Sequence, residues 1–273
     1  MKKLVRGGTV VTATDMFLAD VVVEGERIAA IGAQGEDGFD EVIDASGCYV
    51  LPGLIDNHTH MAMPFGGTVS IDDYDTGTRA AAAGGTTCIV DFVIQQHPDG
   101  LRSSLQEWQG RADGAAHVDY GFHMAITNAS ESALDEMELM TEEGVCSFKL
   151  FMAYKGELMV RDDELAAAME RARDLGGLIM VHAENGDVVD LLVKRALARG
   201  DTSAINHALT RPEFVEAEAT SRAAKLAQYT GASLFVVHVT CAAAAAEIEA
   251  AELGDAATAG AHAPGGDSAP DPE

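Results

Sequence analysis

The chain has 273 residues, enough for one large domain or two ordinary ones, and 47% of them are apolar, which supplies a substantial core and excludes general disorder. Against 44 Asp and Glu stand only 18 Lys and Arg, a formal charge of -26 at pH 7. A surface that negative repels phosphate backbones and anionic lipid, so neither nucleic acid nor a membrane is expected as a partner. Only six of the basic residues are lysines. Few lysines beside abundant acid and alanine give a halophile-like composition, tolerable in concentrated salt where the Debye length is about 3 Å. Cys48, Cys88, Cys146 and Cys241 show no Cys-x-x-Cys spacing and read as free thiols of a reducing compartment. The first residues carry charges but no apolar stretch of a secretory signal. No apolar run reaches the roughly 20 residues of a membrane span, and a cytoplasmic protein is expected.

In chain order, residues 1–50 read as short strands broken by turns. Val21–Glu24 and Arg27–Ile31 flank Gly25-Glu26 as a hairpin, and Glu41–Asp44 and Cys48–Leu51 follow. These strands are too few to bury both faces and need partners. From Leu51 the pattern becomes alternating strand and helix. The expected strands are Leu51–His58, Thr87–Val93, Tyr120–Ile126, Ser147–Phe151, Leu178–His182 and Ser233–Val239. Helices are expected over Ser130–Glu143 and Asp162–Leu175, among others. Gly84, Gly144, Gly176 and Gly231 stand where helices end before the next strand, each expected in the left-handed conformation that glycine adopts cheaply. Repeated βα units with apolar strands predict a parallel sheet, doubly wound or closed as a barrel.

Residues 51–253 hold six such units, close to the roughly 31 residues per unit of an eight-unit barrel. The α/β fold expected is therefore an incomplete (β/α)8 TIM-type barrel, preceded by part of a small β-sandwich. Residues 254–273 contain no large apolar side chain and are expected to form a disordered tail. The abrupt change there suggests truncation, because a six-strand barrel keeps two open edges.

His58-Thr59-His60 closes the first barrel strand, and residues i and i+2 of an extended segment point to one side. Both imidazoles can then reach one metal ion. His182 closes the fifth strand and His238 lies near the end of the sixth. The carboxyl ends of parallel barrel strands gather on one face, so all four histidines are expected to converge. Lys149 sits at the end of the fourth strand, in Ser147-Phe148-Lys149-Leu150-Phe151, where burying an ammonium is costly unless it is paired or neutral. A neutral lysine amine can add carbon dioxide and become an anionic carbamate ligand. His123, inside the third strand, and His207, in a loop, read as structural, and His97, His117 and His262 as solvent-exposed.

With these residues in place the sequence resembles the dihydropyrimidinase and hydantoinase branch of the amidohydrolase superfamily, over roughly residues 1–250. The matching stretches are Gly53-Leu54-Ile55-Asp56-Asn57-His58-Thr59-His60, Phe148-Lys149-Leu150-Phe151-Met152-Ala153-Tyr154-Lys155-Gly156, Val181-His182-Ala183-Glu184-Asn185-Gly186 and Val236-Val237-His238-Val239. The resemblance implies a barrel flanked by a sandwich built from both chain ends. It implies one zinc (or manganese) on His58 and His60, a second on His182 and His238, and carbamylated Lys149 between them. It implies hydrolysis of the ring amide of dihydropyrimidines or hydantoins to N-carbamoyl amino acids, as in pyrimidine catabolism, by a homotetramer. Tyr154 matches the tyrosine that stabilises the oxyanion, and Met63 and Phe65 match a loop that shapes the pocket. The family's later aspartate, a metal ligand and proton shuttle, has no counterpart; Asp255, Asp267 and Asp271 lie in the tail. Allantoinase or dihydroorotase chemistry competes with this reading. Against dihydroorotase, Ala62 stands where those enzymes place an arginine. Two further classes without turnover compete as well: a non-catalytic relative that acts as an interaction protein, and an inert remnant of a broken gene.

Overall fold

The computed structural model describes residues 1–35, 37–96 and 100–261. The first part is sheet: β1 (Lys2–Val11), β2 (Met16–Glu24), β3 (Arg27–Gly32), β4 (Glu41–Asp44) and β5 (Tyr49–Val50). Strands β1, β2 and β3 pair antiparallel, while β4 and β5 run parallel to β1. Glu24 faces Arg27 across the expected hairpin, whose turn Gly25 permits with φ 62°. Leu18 and Ile28 stay 78% and 61% exposed, so this sheet leaves apolar surface uncovered, as strands too few to bury both faces would.

The βα portion begins with β6 (Leu54–Thr59), the small hairpin β7 (Pro64–Phe65) and β8 (Thr68–Val69), and α1 (Tyr74–Ala83). Then come β9 (Thr86–Ile94), α2 (Gly100–Ala112), β10 (Asp119–Ala125), α3 (Glu131–Glu142), β11 (Ser147–Phe151) and α4 (Asp162–Asp174). The last elements are β12 (Leu178–His182), α5 (Gly186–Ala198), α6 (Asn206–Leu209), α7 (Glu213–Thr230), β13 (Ser233–Val236) and α8 (Ala242–Ala261). Six strands form one sheet in the order β13-β12-β11-β10-β9-β6, every neighbouring pair parallel. Parallel strands in sequence order, joined through helices, make an incomplete (β/α) barrel, as the residue pattern indicates.

The helices form where apolar spacing and caps coincide. Ser130 and Asn185 accept the free backbone N–H groups of Ala133 and Val188, and Asp73 makes a capping box with Thr76. Phe148, Leu150, Ile179 and Val181 from the strands pack with Leu105, Trp108, Met137, Leu165 and Met169 from the helices, all essentially buried. At about 25 cal/mol per Å² of apolar surface, this layer is the main source of stability.

Two local expectations are corrected. Strand β13 stops at Val236 instead of Val239, because the Glu216 carboxylate takes the Thr240 N–H at 2.6 Å and turns the chain out of the ladder. Gly84 is right-handed at φ -84°, and the positive φ of that turn (90°) falls on Gly85. Helix α8 runs to Ala261, past the start of the expected tail, and residues 262–273 of that tail lie outside the described residues.

Candidate metal centre

Strand β6 delivers its histidines by leaving the regular ladder. Its register against β9 shifts between Asp56 and Thr59, which turns the His58-Thr59-His60 segment toward the inside of the curl. Gly53 before it has no room for a side chain, since a Cβ there would stand 2.1 Å from Thr87 Oγ1. His58 and His60 meet with ring centroids 5.3 Å apart, His58 lies 4.8 Å from His238, and His238 lies 5.2 Å from His182. The four imidazoles predicted from three strand ends therefore form one continuous row.

Phe92 of β9 is the platform beneath one end. Its ring lies 4.7 Å from His58, 5.0 Å from His60 and 4.8 Å from His123. The Lys149 ammonium sits 4.3 Å above the same ring and 5.0 Å from that of Phe151. Only 1% of Lys149 is exposed, and burial pulls its pKa down to about 8. Burial first, and the Lys149 charge second, pull His58 to about 3 and His60 to about 4, and the same two causes lower His238. Neutral imidazoles and a readily deprotonated amine are a metal-ligand set.

Whether a metal fits is decided by the nitrogens. His58 Nε2 and His60 Nδ1 are buried without a hydrogen-bond partner, a costly state that an ion would relieve. His182 differs: its Nε2 lies 2.7 Å from Glu184 Oε2, and Glu184 Oε1 lies 3.3 Å from Arg211 Nε. A carboxylate on one ring nitrogen fixes the tautomer and leaves the other for a metal. Among the described residues no three His, Cys, Asp or Glu side chains cluster as a self-sufficient metal cage. The four rings instead follow one another at 4.8–5.3 Å, with the buried Lys149 ammonium over the Phe92 ring that His58 and His60 also touch.

Tyr154 adopts φ 65°, a left-handed conformation uncommon outside glycine that this chain also shows at Ala62. Its ring lies 5.0 Å from His182, and burial raises its pKa, so it remains a hydroxyl donor. Phe65 stands edge-on to it at 5.3 Å, whereas Met63 packs against the core. Tyr154, His182, Glu184, Arg211, His238 and Thr240 line a cavity of about 280 Å³. His123 is held by Ser147 Oγ and, at 3.1 Å, by the Asn57 carbonyl. His207 stands in α6 and lines the cavity, a correction to its reading as a loop residue; a two-residue Asn-His start gives no helical signal. His117 pairs with Asp75 at 2.6 Å on the surface, and the four cysteines are free thiols. His97, His262, Asp267, Asp271 and the Asp255 side chain lie outside the described residues.

Sequence reasoning missed Asp91, Phe92 and the Glu184–Arg211 pair. The available signal was a lone acid in the apolar strand Ile89-Val90-Asp91-Phe92-Val93, since unpaired acids are rarely buried.

Fold and site define the class first: a βα-barrel protein with a row of histidines at the carboxyl ends of its strands and, beside it, a buried lysine that stands in the middle of β11 and not, as expected, at its end. The chain belongs to the amidohydrolase family, whose model matches residues 49–207. That family is generally metal-dependent. The chain is 49% identical over 249 residues to a D-hydantoinase of Geobacillus stearothermophilus, covering 91% of this chain and 53% of that protein. It is 47% identical to a dihydropyrimidinase of Arabidopsis thaliana, covering 86% of this chain and 44% of that one. The dihydropyrimidinase structure from Brevibacillus agri NCHU1002 superposes with a TM-score of 0.91 at 50% identity, over 93% of this chain and 56% of that one. The chain spans about half the length of the curated relatives it matches. No helix among the described residues is long and apolar enough to cross a membrane.

Proposed function

We propose that this chain carries the metal-binding part of a cyclic amidohydrolase of the hydantoinase and dihydropyrimidinase type. The observation that carries the reading is the row of His60, His58, His238 and His182 beside a buried Lys149. His58 and His60 would hold one zinc or manganese ion, and His182 and His238 a second. Lys149 would join them as an anionic ligand once its neutral amine had added carbon dioxide, with loss of a proton, to become a carbamate. When bound, the metals supply an activated water and polarise the amide carbonyl.

The remaining work belongs to the protein. Tyr154, kept protonated by burial, donates its hydroxyl to the oxygen on which negative charge develops. Phe65, edge-on to Tyr154, meets the ring substituent, and Met63 supports that loop from the core. Glu184 and Arg211 hold His182 in one tautomer. The substrate is a dihydropyrimidine or hydantoin ring, opened to an N-carbamoyl amino acid, in a cytoplasmic homotetramer.

The test is zinc content and dihydrouracil ring opening for the chain prepared with zinc and bicarbonate, against Lys149→Ala. Two zinc ions per chain, reduced in Lys149→Ala together with any turnover, is the expected result. A folded protein that takes up no zinc would overturn the reading.

A further inference from the structure

Asp91 is a fully buried carboxylate for which the proposed chemistry has no use. Burial raises its pKa, against the opposing pull of its hydrogen bonds. Such a group is expensive to keep unless its bonds do something an apolar side chain could not.

Those bonds converge on one ligand. Asp91 Oδ1 accepts from Thr59 Oγ1 at 3.1 Å and from the Met61 N–H at 3.1 Å, the residues on either side of His60. Its Oδ2 accepts from the Tyr74 hydroxyl of α1 at 2.5 Å, which fixes the carboxylate's own rotamer. The chain needs this tie here, because the β6–β9 register breaks between Asp56 and Thr59 and the ladder no longer aligns the segment. Met61 is also seated by its side chain, whose sulfur would lie 2.4 Å from a Cβ added at Gly77 of α1. On the far side His123 Nε2 meets the Asn57 carbonyl at 3.1 Å. The His58-Thr59-His60 segment is thus tied both before and after its histidines.

We infer that Asp91 is a positioning residue for the His58/His60 half of the metal centre, fixing His60 by tying Thr59 and Met61. This rests on the reading proposed above. It requires the oxygen's acceptor geometry and not its charge, so asparagine can substitute where alanine cannot.

The experiment is a zinc titration of the full chain against a competing chelator, well below the unfolding temperature, with melting followed on the same samples. Asp91→Ala should weaken one of the two zinc ions by about 10–100-fold, the usual cost of losing a ligand's support, and leave the other unchanged. Asp91→Asn should recover most of that loss. A purely structural Asp91 would lower the melting temperature of Asp91→Ala without changing zinc affinity, and that result overturns the inference alone. Equal weakening of both ions, or no rescue by asparagine, overturns it too. Should Asp91→Ala not fold, Thr59→Val decides, with an expected loss of about threefold at one ion, the worth of one modest hydrogen bond; unchanged affinity refutes it. A wild-type chain that binds no zinc removes the proposed function and this inference together.

Discussion

The two ends of the histidine row are held by different means. His58 and His60 rest on the apolar face of Phe92, their strand tied through backbone and hydroxyl groups, with two ring nitrogens left unpartnered. His182 is held by an ionic side-chain chain through Glu184 to Arg211, beside a cavity of about 280 Å³. The first end is backed by an apolar ring and fixed by the fold; the second is polar and held by paired side chains. A carboxylate thus supports each end in a different way, one through the main chain and one directly on the ring.

Removing the apolar platform is the strongest way to break this difference. Phe92→Ala should cost about 3–5 kcal/mol, the range for truncating a buried aromatic, and should release His58 and His60 together. Urea unfolding of the metal-free chain measures the cost. A loss under about 1 kcal/mol would show that the first end is not built on that ring.

Lys149→Met should act in the opposite direction on the metal-free chain. The folded lysine has its pKa lowered to about 8 from 10.5, so the folded state binds fewer protons than the unfolded chain between those values. Wild-type stability therefore rises as pH climbs from about 8 to 10.5 and is penalised fully below 8. At about 1.4 kcal/mol per pKa unit, methionine should stabilise the chain by about 3 kcal/mol at pH 7, a gain that fades as pH approaches 10.5. Thermal melts across that range decide it, and a destabilised variant at pH 7 would contradict the unpaired-cation reading. Zinc uptake should fall in the same protein, so stability and metal binding part company at this residue.

Much of this architecture is legible in the amino-acid sequence. Strands β11 and β12 fall on the residues expected, because Ser147–Phe151 and Leu178–His182 are short, largely apolar runs bounded by turn residues. The convergence of four histidines follows from one rule about strand ends in parallel barrels. What escapes are groups whose role depends on register. Asp91 reaches Thr59 and Met61 only because β6 shifts against β9, and no local pattern announces such a shift. Glu184 is visible in the motif, but its hold on His182 from two residues away depends on the turn after β12, and Arg211 comes from beyond α6. The end of β13 escapes for a related reason, since the Glu216 carboxylate that takes the Thr240 N–H comes from α7.

The smallest expected effect tests the polar end. Glutamine at position 184 keeps an oxygen able to accept the His182 N–H but removes the charge that Arg211 pairs with. If His182 is held chiefly by acceptor geometry, Glu184→Gln should weaken one zinc ion by less than about tenfold, below the range for losing a supporting group outright, with a melting point near that of the parent. Arg211 would then be left without its carboxylate and become the weaker point, so adding Arg211→Met to Glu184→Gln should cost little more than Glu184→Gln alone. A double variant whose losses simply add would show that the two residues act separately, and that His182 is not held by a chain of side chains. The same pair of substitutions should leave the ion proposed for His58 and His60 untouched, because that end is tied through Thr59 and Met61, whose bonds run to Asp91 and not to Glu184.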